Sequence, residues 1–287
     1  MPAESDRMRP YRSVLYIPAA RERALEKAQT LPVDAIIFDL EDAVAADEKE
    51  NARVLLARVL GEADYGGRAR IVRVNGLDTP WGAEDIAAFR GAKIDALLIP
   101  KVGSAADVEA VARLIPDVPL WAMMETPAGM LNAAEIAAHP RLSGMVMGTN
   151  DLAKEIGARF RPDRLPMLTG LQLCLLAARA HRRIAIDGVY NAFKDDEGLR
   201  AECRQGRDMG FDGKTLIHPA QLAIANEEFA PSDAEVDLAR RQIEAFDAAR
   251  REGQGVAVVD GRIVENLHAA TARQIIARAE AIAERAI

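Results

Sequence analysis

The sequence is poor in the residues that build disulfide frameworks, metal cages and membrane spans. It holds 2 cysteines and 4 histidines in 287 residues. Cys174 and Cys203 lie in helix-like sequence without metal-ligand spacing, so they read as buried or idle thiols. No histidine precedes His139, which leaves the first half of the chain without an imidazole base. No run approaches the roughly 18 apolar residues a bilayer span requires. Met1–Arg7 contains no apolar stretch, so no secretory signal is visible and the cytoplasm is the expected location. Aromatic residues make up only 5%, so the core must be built from Ala, Leu, Ile and Val. Lys and Arg number 37 against 44 Asp and Glu, a net charge of −7. Such a chain is a poor general binder of nucleic acid or anionic membranes, and an anionic ligand needs a local basic pocket. No G-x-G-x-x-G follows the first apolar run, which weakens any dinucleotide-binding reading.

What the chain does have is an alternation of short β-like runs and longer amphipathic stretches. The runs are Ser13–Ile17, Ala35–Phe38, Arg70–Val74, Ala96–Ile99, Leu120–Met124, Gly144–Met147, Ile184–Asp187 and Lys214–Ile217. Most are continuously apolar, as suits strands buried on both faces of a parallel sheet. Helices are expected over Ala20–Thr30, Glu48–Leu60, Thr79–Phe89, Ser104–Leu114, Ala128–Ala138, Gly170–His181 and Asp195–Met209. Pro80, Pro127 and Pro219 stand where first helical turns are expected, and Ser104 and Asp195 are candidate N-caps. Eight strands each followed by a helix is the count of a (β/α)8 TIM barrel, placed over residues 1–230, with an open doubly wound sheet as competitor. Residues 231–287 read as a C-terminal helical extension. It holds a helix over Asp233–Glu252, a small hairpin around Asp260-Gly261, and a helix striped by Ala272, Ile275, Ile276, Ala279, Ile282 and Ala283. That stripe needs a partner surface, on its own barrel or on a neighbouring subunit.

Barrel enzymes carry their chemistry at the carboxyl ends of strands. Here those ends hold Asp39, Glu41 and Asp42, then Arg73, Lys101, Glu125, Asn150 and Asp151, Asp187, and His218. Each has a structural alternative: Asp151 as a helix cap, Arg73, Lys101 and Asp187 as buried ion pairs, His218 as a structural ring. Taken together they favour a site. Two carboxylates 4 Å apart repel by roughly 4 kcal/mol at an effective dielectric near 20. A divalent cation relieves that cost, and all-oxygen donors favour Mg²⁺ or Mn²⁺ over Zn²⁺. Arg73 would supply a planar donor fork to a carboxylate or a developing enolate oxygen.

Several segments together are similar to the HpcH/HpaI aldolase–citrate lyase β-subunit (CitE-like) family, over about residues 10 to 285. They are Arg12–Pro18, Ile37–Val44, Arg73–Thr79, Ile99–Val102 and Lys214–Pro219. In motif detail they most resemble its malyl-CoA, β-methylmalyl-CoA and citramalyl-CoA lyases. The resemblance implies a homo-oligomer, trimer or hexamer, with Mg²⁺ held by Glu125 and Asp151 and with Glu41 and Asp42 behind the metal-bound waters. It implies that Arg73, Asn150, Ile217 and His218 meet substrate and that Tyr16, Arg21 and Lys27 meet the CoA moiety. It also places an acid/base group in the tail, where Glu265 stands in place of the family's Asp and would act on a neighbouring subunit's site. The implied reaction cleaves a 3-hydroxyacyl-CoA thioester into acetyl- or propionyl-CoA and a 2-oxo acid; its reverse is a Claisen condensation, with room for a thioesterase step after it. Two other readings stand beside it. One is a citrate lyase β-subunit working on a carrier-protein thioester. The other is a CoA-independent class II aldolase, which would use a histidine near the second strand that this chain lacks.

Overall fold

The computed structural model describes residues 9–285; Met1–Arg7, read above as lacking a secretory signal, lies outside the described residues. The chain divides into two compact units, Tyr11–Phe229 and a C-terminal unit beginning at Ala230.

In the first unit eight parallel strands close into a barrel in chain order. They are β1 (Ser13–Pro18), β2 (Ala35–Asp39), β3 (Ala69–Arg73), β4 (Ala96–Ile99), β5 (Leu120–Met124), β6 (Leu142–Met147), β7 (Ile184–Asp187) and β8 (Gly213–Leu216). β1 pairs with both β2 and β8, which closes the ring and excludes the open sheet. The strands read as continuous apolar runs because both faces are buried. Val14, Ile37, Ile71, Leu98, Met123, Val146 and Ile186 pack together in the interior. Leu15, Phe38, Val72 and Leu97 pack with the helices.

Those helices are α1 (Glu22–Ala28), α2 (Lys49–Glu62), α3 (Gly82–Ala88), α4 (Ala105–Leu114), α5 (Pro127–Leu131), α6 (Ala133–Ala138), α7 (Thr149–Glu155), α8 (Leu168–Ala180), α9 (Asp196–Met209) and α10 (Leu222–Glu228). Asp195 caps α9 by accepting the Gly198 N–H at 3.0 Å. At the head of α4 the Ser104 N–H donates to Asp107 at 2.8 Å. Two details differ from expectation. Pro80 precedes the residue that caps α3, Trp81, rather than entering the first turn. The stretch Ala128–Ala138 is not one helix, because Asn132 breaks it with φ −96° and ψ 11° and donates its side-chain amide to the Gly103 carbonyl at 2.8 Å.

The second unit comprises α11 (Asp233–Arg251), β9 (Ala257–Val259), β10 (Arg262–Val264) and α12 (Asn266–Ala283). Asp260 and Gly261 both have positive φ, 49° and 72°, the geometry of a type I′ hairpin turn. Phe246, Val264 and Ala269 form its small core. Arg273 of α12 pairs with Asp247 of α11 at 2.7 Å. Of the expected stripe, Ala272 is buried, Ile275, Ile276, Ala279 and Ile282 are half-buried, and Ala283 is exposed. No described helix is long and apolar enough to cross a membrane.

Candidate active site

β2 and β3 pair in a register that sets Asp39 beside Arg73 at the strand ends. The Arg73 fork closes on Asp39 with Nε and Nη2 at 2.7 and 2.6 Å from its two carboxylate oxygens. Nη1 stands 3.0 Å from Glu41 Oε2 and 3.3 Å from Asp42 Oδ2. The guanidinium also lies 5.1 Å from the centre of the Tyr16 ring. Arg73 is therefore a buried ion-pair partner and a cleft residue at once. Asp39 does more than hold it. Its carboxylate accepts the N–H groups of Glu41 and Ala43 at 2.9 and 3.1 Å, which curls residues 39–43 into a turn. Lys49 and Asn75 fix that turn from behind, donating to the Leu40 carbonyl at 3.0 Å each, and Lys49 also to that of Glu41 at 2.8 Å.

The charges in this turn are unequal. Burial pushes the Glu41 carboxyl up, opposed by Arg73 and by the 2.7 Å bond from Lys101. Burial also acts on Asp42, but Arg73 and Lys101 outweigh it and hold that group below the usual carboxylate value. The Tyr16 phenol is raised by burial.

Glu125 directly follows β5 and is 2% exposed. Its Oε1 accepts the Lys101 N–H at 2.8 Å, and no hydrogen bond reaches Oε2 among the described residues. Burial pushes its carboxyl up to about 8, with the charges of Glu41 and Asp151 acting in the same direction. The carboxylate lies against Gly148, where a Cβ would stand 2.5 Å from Oε2. Asp151 is the third residue of α7, whose N-cap is Gly148, so the capping alternative for Asp151 is overturned.

Tyr16, Asp39, Asp42, Arg73, Glu125, Asn150, Asp151, Val189 and Ile217 line one cleft of about 280 Å³ at the barrel mouth. Its donor set fits a hard divalent cation: a buried carboxylate with one uncommitted oxygen, beside a second carboxylate. No group of three or more His, Cys, Asp or Glu side chains suited to a metal is present among the described residues. A cation on Glu125 and Asp151 would thus keep most positions for water and substrate oxygens, as Mg²⁺ sites do. A second cavity of about 520 Å³ adjoins the ends of β3 and β4, with Glu41, Asn75, Thr79 and Lys101 among its walls.

The remaining expected residues are placed as follows. Asn150 exchanges amide hydrogen bonds with Asn191 at 3.2 and 2.8 Å. His218 starts the short turn Pro219–Gln221, where its Nδ1 accepts the Ala220 N–H at 3.2 Å and its ring stacks on Phe193 at 4.7 Å. Those contacts match its structural alternative. Arg21 is the N-cap residue of α1 and Lys27 lies in its last turn, both exposed. Glu265 is the exposed N-cap residue of α12 in the second unit, its N–H donating to His268 Nδ1 at 3.2 Å. Asp187 forms the expected buried pair, but against α9 rather than inside the barrel. Lys214 lies 3.1 Å from Asp187 and 2.6 Å from Glu202 of α9, and Arg164 lies 2.7 Å from Asp187. Asp39 stands among the strand-end residues of the sequence but was given no role there. Its signal is positional: two consecutive strands of a barrel are neighbours, so charges ending both are bound to meet.

A closed parallel barrel with carboxylates and a buried arginine gathered at its strand ends has the layout of a barrel enzyme's active site. The sequence pattern of the HpcH/HpaI aldolase/citrate lyase family matches residues 12–219, and the chain belongs to that family. It is 75% identical to a (3S)-malyl-CoA thioesterase of Cereibacter sphaeroides over 274 residues, covering 96% of each chain. It is 36% identical to an L-malyl-CoA/β-methylmalyl-CoA lyase of the same species, again over 96% of each. Among solved structures it is similar to the CitE protein of Mycobacterium tuberculosis in complex with magnesium, acetoacetate and coenzyme A. The TM-score is 0.81 and the identity 32%, over 95% of this chain and 99% of that one.

Proposed function

We propose that this chain releases coenzyme A from a malyl-CoA-class thioester by divalent-cation-dependent hydrolysis. The observation that carries the site is the Glu125 carboxylate, held at one oxygen and uncommitted at the other, beside Asp151 and Arg73 in one cleft. The choice of hydrolysis over carbon–carbon cleavage rests on the 75% identity to malyl-CoA thioesterases, and it reorders the expectation drawn from the motifs.

Bound at Glu125 and Asp151, Mg²⁺ would supply Lewis-acid charge to the carboxylate and hydroxyl oxygens of the acid half. Arg73, in the wall of the same cleft, offers its positive charge to the same anionic half. Arg21 and Lys27 offer positive charge to the CoA phosphates. Asp42, held ionised in the cleft wall, orients a water toward the thioester carbonyl. Water adds there, the C–S bond breaks, CoA leaves as the thiol after taking up the water's proton, and malate remains.

Carbon–carbon cleavage of the same ester is the second reading, favoured by the position of Arg73 beside the carboxylate pair and by the lyase relatives. In that reaction the bond between the carbinol carbon and the thioester α-carbon breaks. The carbinol hydroxyl gives its proton to water, Arg73 faces that oxygen as it becomes a carbonyl, and Glu265 of a neighbouring copy in a trimer or hexamer relays a proton from water to the α-carbon. Purified protein given (3S)-malyl-CoA and Mg²⁺ separates the two. Free thiol without glyoxylate is the expected result. Glyoxylate with acetyl-CoA and no thiol would make the lyase reading the right one, and neither product would overturn both.

A further inference from the structure

We infer that Lys101 is the positioning residue of the cleft, setting the open oxygen of Glu125 with its backbone and holding Glu41 away from the cation with its side chain. The inference rests on the reading of Glu125 and Asp151 as cation ligands. Lys101 follows β4 with φ +51°, a left-handed conformation that residues other than Gly, Asn and Asp seldom adopt. Glycine would adopt it without strain. Packing does not demand the lysine either, since its side chain is 53% exposed. An unfavourable backbone on a loosely packed side chain points to function.

The geometry shows what the conformation achieves. The Lys101 N–H bonds Glu125 Oε1 at 2.8 Å while Nζ bonds Glu41 Oε1 at 2.7 Å. The other Glu41 oxygen lies 3.0 Å from Arg73 Nη1. One residue thus ties the end of β5 to the turn after β2 and, through Glu41, to the end of β3. Glu125 keeps only Oε2 for a ligand. Glu41, satisfied on both oxygens by cations of the protein, is kept from serving as a third carboxylate ligand. A third carboxylate would bind the cation more tightly and occupy a position that substrate oxygens need. The Lys101 ammonium therefore limits cation affinity and keeps the site open to substrate.

This gives opposite signs for binding and turnover. Calorimetric titration of metal-free protein with Mg²⁺ should show Lys101→Met and Lys101→Gly binding at least about threefold more tightly than wild type, because a nearby positive charge is gone and Glu41 is released. Their kcat for thioester turnover should fall at least about tenfold. In the metal-free protein Lys101→Gly should melt about 2 °C above Lys101→Met, since both lose the bond to Glu41 and only glycine relieves the backbone. Lys101→Arg, which can still reach Glu41, should keep both constants within about threefold of wild type. Weaker Mg²⁺ binding in the Met and Gly variants, or binding and kcat both unchanged, would overturn the inference. If wild type itself binds no Mg²⁺ through Glu125 and Asp151, the reading of the site falls instead, a result the Glu125→Gln control identifies.

Discussion

At Glu125 a carboxyl group 2% exposed has one oxygen bonded to a backbone N–H and the other uncommitted, and burial lifts it to about 8. Holding that group charged is unfavourable until a cation arrives. Glu125→Gln should therefore leave the metal-free melting temperature unchanged or higher, while Mg²⁺-dependent turnover falls at least about a hundredfold. Wild type should gain about 2.7 kcal/mol of stability at a Mg²⁺ concentration a hundred times its Kd, and the variant should gain almost none. Equal Mg²⁺ stabilisation of both proteins would place the cation elsewhere. Arg73 makes a second test. Lysine keeps the charge but cannot close on both oxygens of Asp39 as the guanidinium does. Arg73→Lys should lose at least about tenfold in kcat/KM, roughly 1.4 kcal/mol of transition-state binding. An unchanged kcat/KM would reduce Arg73 to a fold residue.

The strand ends are held in place by charges behind them, and β7 shows this most clearly. Burial alone would raise the Asp187 carboxyl, but Lys214 and Arg164 outweigh it and hold it below the usual value. A carboxyl depressed in the folded state stabilises above its unfolded value, about 3.9, and the contribution is lost as pH falls through the lowered folded value. Asp187→Asn leaves Lys214 and Arg164, two buried cations, with Glu202 as their one remaining carboxylate and should cost about 3–5 kcal/mol at pH 7, read by urea unfolding. The gap to wild type should narrow only below about pH 4. A gap already closed at pH 6 would contradict this account. Strands were legible in the sequence because burial on both faces leaves them continuously apolar, and Ala96–Ile99, Leu120–Met124 and Ile184–Asp187 have the expected ends. α7 was not legible: Gly148-Thr149-Asn150-Asp151 has the composition of a loop, and its helix starts from a glycine N-cap without a side-chain hydrogen bond. The Arg73–Asp39 pair depends on register across 34 residues, and the conformation of Lys101 depends on contacts with β2 and β5. Neither follows from local composition.

Across the whole molecule, the barrel supplies the carboxylate pair and the arginine, while Glu265 belongs to the second unit and is exposed. If Glu265 serves a neighbouring copy, mixing Glu125→Gln chains with Glu265→Gln chains should restore part of any carbon–carbon cleavage activity, because some mixed interfaces contain one intact site. A mixture that exchanges subunits yet stays as inactive as both parents would leave Glu265 a surface carboxylate. All of these roles depend on one cation lying between the ends of β5 and β6. The most direct measurement is anomalous diffraction from crystals grown with Mn²⁺. The account predicts a single strong peak about 2.2 Å from one oxygen each of Glu125 and Asp151. The cleft should remain open toward Arg73, and the peak should be lost in Asp151→Asn. A peak elsewhere, or one that survives that substitution unchanged, would contradict it.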